Sequence, residues 1–277
     1  MSLPLKPGAT PEQALQILDT LANDVGNVFN RSGGAPGGWD SFERKRFDYL
    51  TWLANAEGQL GNFADEAHVA RQLHTAGLAA IRNADGATPW PAQVLESEIR
   101  AQKDALRRAA AALRQQVERL HAARGHIAVL DTHILLHYEP PESIDWPAIV
   151  GVSSVRLLLP MKVVDELDEK KYTGSDRVRG KARTALTHLR TLVGADGGPG
   201  PVRDGVTIEV ELAGEDQRQS DADKSIIETC AELARLTGVA NSVSLVTGDA
   251  GMLIRAAQRE VRAVAMPDEY LRGARLG

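Results

Sequence analysis

The sequence predicts an all-helical segment over residues 1–125, followed by a three-layer α/β domain over residues 126–277 with a mainly parallel sheet. Two observations carry that reading. Up to about residue 124 the apolar residues recur at helical spacing, whereas after His126 they gather into short aliphatic runs separated by helical stretches. Strands that alternate with helices need crossover connections, which make a sheet parallel and cover both of its faces.

In the first part, Thr10-Pro11-Glu12-Gln13 combines a hydroxyl N-cap, a proline at the first helical position and Gln at the third, and so predicts a helix start. Leu15, Leu18, Leu21 and Val25 continue it on one face. Residues Arg31 to Gly38, rich in Gly and Ser, predict a loop, and Asp40 or Ser41 is placed to cap a second helix carrying Phe42, Phe47, Leu50 and Leu53. A third helix is expected over Asp65 to Arg82 and a long fourth over Ala92 to Ala123. The fourth has an apolar stripe through Leu95, Ile99, Leu106 and Leu113, and a charged face bearing Arg100, Lys103, Arg107, Arg108, Arg114 and Arg119. That face reads as solvated and balanced by Glu96, Glu98, Asp104 and Glu118, or as a ridge for phosphate or a partner.

In the second part, strands are expected at Ile127 to Leu130, Arg156 to Leu159, Val206 to Leu212, Val243 to Val246 and Val261 to Ala265. The third alternates, with Glu209 and Glu211 facing out as on an edge strand. Helices are expected at Lys162 to Lys171, Ser175 to Val193, Asp221 to Thr237 and Ala250 to Arg259, with a surface loop over Gly194 to Gly200.

Composition sets limits. The single Cys230 cannot close an intramolecular disulfide, which suits a reducing cytoplasmic setting, and its apolar helical surroundings predict a buried structural thiol. No apolar run reaches the roughly 20 residues that span a bilayer, and Met1 to Gly8 lacks the pattern of a signal peptide. No membrane partner is expected. The net charge is −5, and all of that excess lies after Gly125. A domain that concentrates carboxylates repels phosphate unless a cation sits among them.

In parallel sheets, sites form beyond the carboxyl ends of the strands. Asp131 ends the first strand and Asp249 follows the fourth across Thr247-Gly248; each alone also suits a helix cap. Glu166 and Asp223 lie in the first turns of helices that start on the same edge, although Asp221 and Asp223 also suit the helix dipole. Four carboxylates on one edge raise one another's pKa unless a cation compensates. Oxygen donors without a Cys or His set select Mg²⁺ or Mn²⁺, ions that keep waters and bind phosphate oxygens. Metal-assisted phosphodiester hydrolysis follows from that chemistry.

Four segments resemble, in order, the acidic motifs of PIN-domain nucleases: Val129-Leu130-Asp131-Thr132-His133-Ile134, Val163-Val164-Asp165-Glu166-Leu167, Asp221-Ala222-Asp223-Lys224-Ser225-Ile226 and Leu245-Val246-Thr247-Gly248-Asp249. The resemblance covers roughly residues 126–270. It implies a Rossmann-like, five-stranded parallel sheet, a divalent metal, and endonucleolytic cleavage of single-stranded or structured RNA, with RNA favoured over DNA. By that resemblance Asp131, Asp223 and Asp249 serve as catalytic metal ligands or anchors of metal-bound water, with Glu166 beside them. Thr132 and Thr247 would orient ligands or waters, and Asp221 would support them from behind. Family members usually carry Asn where this chain has His133.

Basic residues beside the second motif, Lys170, Lys171, Arg177, Arg179 and Lys181, are expected to contact nucleic acid, with Arg183 nearby. Tyr172 can stack on a base or pack. His133 and His137, four apart, also have a spacing that can bind zinc. Competing readings are a non-catalytic module binding RNA or protein, and a phosphotransfer fold keyed on Asp131; the phosphatase form of the latter wants an Asp where His133 stands. The helical segment is expected to select substrate or to mediate oligomer or protein contacts.

Overall fold

The structure, a computed structural model, describes residues 5–31, 39–85, 87–194, 198–211, 221–239 and 241–273. The chain divides into two compact units, Met1–Leu120 and His121–Gly277.

The first unit is helical: α1 (Pro11–Arg31), α2 (Trp39–Gly61), α3 (Glu66–Leu73), α4 (Ala76–Arg82) and α5 (Pro91–Ala122). Thr10 caps α1 by accepting from the Gln13 amide at 3.3 Å. The single helix expected over residues 65–82 is two helices. Asp65 caps the first through His68 N at 2.9 Å, and Thr75 starts the second by accepting from Leu78 N at 3.0 Å. A hydroxyl that satisfies orphan amides in mid-sequence competes with helix continuation. The second helix already includes Trp39, so Asp40 and Ser41 lie within its first turn and do not cap it. Of the loop expected before it, residues 32–38 lie outside the described set.

The charged face of α5 needs one correction. Glu98 is not solvated: it is 4% exposed, and its Oε1 accepts from Tyr49 Oη at 2.9 Å, Thr75 Oγ1 at 2.6 Å and Gln102 Nε2 at 3.0 Å. Three donors replace the water that this buried carboxylate would otherwise require. Burial first, and then the Glu98 charge, push the Tyr49 phenol far above its usual range. Gly77 makes room for the carboxylate, because a Cβ there would stand 2.2 Å from Glu98 Oε2.

The second unit is the α/β/α domain. Its chain order is β1 (His126–Leu130), α6 (Thr132–His137), a 3-10 turn (Pro141–Ser143), α7 (Trp146–Val150), β2 (Val155–Pro160), α8 (Met161–Lys170), α9 (Asp176–Leu192), β3 (Gly200–Arg203), β4 (Val206–Glu211), α10 (Ala222–Thr237), β5 (Val243–Thr247), α11 (Ala250–Gln258) and β6 (Ala263–Ala265). The strands form one sheet in the order β3-β4-β2-β1-β5-β6. All neighbours are parallel except β3 and β4. Strands β1, β2 and β5 are buried along their whole length, which is why they read as continuous apolar runs.

The sheet has six strands where five were expected. The added strand, β3, begins at Gly200, inside the stretch expected to be a loop. A Cβ at Gly200 would stand 1.7 Å from the Leu192 carbonyl, so only glycine allows this approach. Strand β4 is therefore interior and not an edge, and Glu209 does not face water. It is 9% exposed and is reached from β2 by Arg156, whose Nε and Nη2 donate to Glu209 Oε1 at 2.9 and 2.6 Å. Leu212 lies outside the described residues.

Cys230 is a free, buried thiol on α10, and burial pushes its pKa up to about 12. Among the described residues no helix is long and apolar enough to cross a membrane.

Candidate active site

Strand order reverses around β1: the chain leaves β1 for β2 on one side and later returns to β5 on the other. Loops beyond the carboxyl ends of such strands diverge and leave a crevice. Asp131 stands at the end of β1 and Asp249 just beyond β5, on adjacent strands paired from Ile127↔Val243 to Leu130↔Val246.

Thr247 joins these two acids. Its hydroxyl donates to Asp131 Oδ2 and accepts from the Asp249 amide, the latter at 2.9 Å. Asp131 is also the N-cap of α6, accepting from Ile134 N at 2.9 Å through Oδ1. Asp249 caps α11 through Gly251 N at 2.6 Å and Met252 N at 3.2 Å. The capping role and the site role thus coincide: backbone amides hold each carboxylate in a fixed rotamer.

Glu166, on the second turn of α8, accepts from Thr132 Oγ1 at 2.5 Å and pairs with Lys170 at 3.0 Å. Asp223, in the first turn of α10, pairs with Arg255 of α11. Asp221 caps α10 by accepting from the Asp223 amide at 3.0 Å. The expected acids and threonines are linked in three sets: Asp131–Thr247–Asp249, Thr132–Glu166–Lys170, and Asp221–Asp223–Arg255.

The electrostatics tie these sets together. The Asp131 carboxyl, 3% exposed, is held above the usual carboxylate range. Burial is the main cause, Asp249 adds to it, and the hydrogen bonds from Thr247 and Ile134 oppose it. The Asp223 carboxyl is raised as well, by burial and then by repulsion from Asp221, Asp249 and Glu166, against the pull of Arg255. Carboxylates on four different segments thus feel one another across one crevice. A cavity of about 320 Å³ opens beside them, bounded by Lys162, Glu166 and Lys170 of α8 and by Ala222 of α10.

The donor set fits a hard cation that keeps much of its water. Such ions are held by one or two carboxylates plus waters, without a closed protein cage. Among the described residues no group of three or more His, Cys, Asp or Glu side chains comes together as a metal-holding cluster. The zinc alternative has less support. The rings of His133 and His137 lie tilted against each other at 4.4 Å between centroids, and Lys181 Nζ lies 3.5 Å from His137 Nδ1, where a second cation is unwelcome.

The basic residues divide. Lys170 is held by Glu166, Lys171 by Asp168 and Arg179 by Asp176. Arg177 and Lys181 instead face His137. Tyr172 is 69% exposed, with Lys171 over its ring at 4.9 Å. Three contributors escaped the sequence reading. Arg255 is the lone cation in the middle of an apolar helix, a signal that was available. Arg272 had no motif around it. Tyr138 is buried, near enough to Asp131 for that charge to raise its pKa after burial and Asp268, and its ring fills the space a side chain at Gly248 would need.

No curated protein matches the chain. A solved structure described as "A domain of a functionally unknown protein from Methanocaldococcus jannaschii DSM 2661" is similar at 14% identity and a TM-score of 0.32, over 52% of this chain and 92% of that one. The family model described as PIN domain matches residues 128–267, a span that includes all four acids and both threonines. The chain belongs to the PIN-domain family.

Proposed function

We propose that the second unit is a metal-dependent endonuclease that hydrolyses phosphodiester bonds of single-stranded or structured RNA. PIN domains are generally nucleases. The observation that carries the reading here is Thr247, whose one hydroxyl ties Asp131 and Asp249 together at the switch point of the sheet.

Asp131, Asp249, Asp223 and Glu166 would hold Mg²⁺ or Mn²⁺ partly through its waters, and the ion when bound supplies a water of lowered pKa and offsets negative charge on the phosphate. The chain does the rest. Thr247 and the α6 and α11 amides keep Asp131 and Asp249 aimed despite their mutual repulsion. Asp223, with 42% of its side chain exposed, is the acid open to solvent and is suited to accept a proton from water. Arg255 holds Asp223 in place and tempers its charge until substrate arrives. Thr132 does the same for Glu166 through its hydroxyl.

A second reading, a PIN-like module that binds RNA or protein without cutting, draws support from His133: its Nδ1 is buried without a hydrogen-bond partner. One experiment separates the two. Wild type and Asp131→Asn are compared on labelled single-stranded RNA and DNA with Mn²⁺, Mg²⁺ or chelator. Cleavage of RNA that needs metal and disappears in the variant is expected. Binding without cleavage under every metal condition would favour the module, and unchanged cleavage in the variant would move the chemistry elsewhere.

A further inference from the structure

Beyond the acidic crevice, α6 connects two unlike ends. Asp131 caps its start and His137 ends it, about 9 Å further along at 1.5 Å per residue. Helix α9 packs against α6 and brings Lys181 Nζ to 3.5 Å from His137 Nδ1. Arg177 lies one turn earlier on the same face of α9. From the other side Arg272 is fixed by backbone contacts: its amide donates to the His137 carbonyl at 3.0 Å and its Nε to the Tyr138 carbonyl at 2.5 Å.

These three cations differ from their neighbours. Lys170, Lys171 and Arg179 each have a carboxylate in contact. Among the described residues none lies within ion-pair distance of Arg177, Lys181 or Arg272. Their charges oppose one another, since Arg177 and Arg272 both lower the Lys181 pKa after burial has done so. Burial, His133 and the same cations lower the His137 pKa. A near-neutral ring among three positive charges is a poor metal site and a good anion site. Two guanidinium forks and one ammonium are the groups that bind phosphate oxygens. The His133 ring, tilted against His137 at 4.4 Å and edge-on to Tyr138 at 5.8 Å, props the imidazole in place. The departure from the family's usual Asn thus acquires a local purpose.

We propose that Arg177, Lys181, Arg272 and His137 form a subsite for a backbone phosphodiester of a single-stranded nucleic acid whose scissile bond lies at Asp131. The subsite rests on the nuclease reading for the identity of its ligand. It sets which side of the cut the strand is gripped, and it lets an acidic domain hold a polyanion.

The test measures binding of a single-stranded RNA with a 5′-hydroxyl end to the full chain in chelator, across a range of salt. Replacing Arg177 and Lys181 together by Ala is expected to weaken binding and to lower the slope of log K against log salt by about 0.7, the contribution of one phosphate contact on a single strand. Lys181→Arg is expected to keep the slope, and so is Arg190→Ala, at the far end of α9. Circular dichroism checks that each variant is folded. An unchanged slope in the double variant overturns the subsite, even if the protein cleaves RNA with metal. A loss seen only with a 5′-phosphorylated strand overturns the assignment to an internal phosphodiester. A wild type that shows the salt signature but never cleaves leaves the subsite standing and removes the nuclease reading instead.

Discussion

Thr247 is where a single atom has the widest reach. It is fully buried and serves as donor to Asp131 and acceptor for the Asp249 amide. Thr247→Val keeps the shape and strands both partners, at a cost of about 1–3 kcal/mol for an unsatisfied buried group. Chemical denaturation at pH 7 should show that loss. Cleavage should fall by about 10–100-fold, as is typical when a group that orients a metal ligand is removed. The variant should also lose activity at a higher pH as the medium is acidified. The Thr247 hydrogen bond lowers the Asp131 pKa, so without it protonation begins earlier. An acid limb that does not move would mean that Asp131 need not be ionised. Asp131→Asn carries a second consequence. Because burial raises the folded-state pKa of this acid, its contribution to stability is present below the unfolded pKa and is lost as pH rises through the folded pKa. Asn still caps α6. The variant should therefore melt at or above the wild-type temperature at pH 7, and the difference should close toward pH 4. A variant less stable at pH 7 would refute this account.

Among elements, β2 and β4 are held by the buried Arg156–Glu209 pair, whose side chains are 4% and 12% exposed. Arg156 Nη1 also donates to the Ala123 carbonyl at 3.2 Å. Glu209→Ala removes the carboxylate to which that buried guanidinium donates twice, and breaking one side of such a pair costs about 3–5 kcal/mol. Replacing both residues by leucine should recover most of the loss, as urea denaturation of the single and double variants would reveal; equal losses would put the effect in packing. The same pair shows where sequence and fold part company. The central strands were legible because full burial on both faces writes an unbroken aliphatic run, as in β1 and β5. The acid positions were legible because α6, α8, α10 and α11 all begin at one edge of a parallel sheet. Strand β4 was misplaced since alternating Glu209 and Glu211 look like a solvated face, and only a partner on β2, 53 positions earlier, explains Glu209. Strand β3 was hidden because Gly200-Pro201 has the composition of a turn, and its pairing depends on the approach to Leu192. Arg272 reaches His137 across 135 positions, a distance no local spacing can announce.

For the molecule as a whole, the two units differ in what stabilises them. The α/β unit rests on a central sheet of aliphatic strands, whereas the helical unit encloses the polar knot of Glu98, Tyr49, Thr75 and Gln102 among residues such as Leu18, Leu53 and Leu106. If each core is self-sufficient, damage to one should not pass to the other. Glu98→Ala tests that. It strands three donors, each at about 1–3 kcal/mol when left buried and unpaired, and it lies outside residues 128–267 that match the PIN-domain model. Urea unfolding of the full chain followed by far-UV circular dichroism should then resolve an early helical transition that moves to lower denaturant in the variant. A later transition should match that of a fragment spanning residues 121–277. Metal-dependent cleavage by the variant should persist up to the second transition, and a change in substrate preference at the first would favour substrate selection over oligomer contacts as the role of the helical unit. A single transition that shifts as one, with cleavage lost at the same urea concentration, would instead mean that the helical core is part of the α/β unit's own stability.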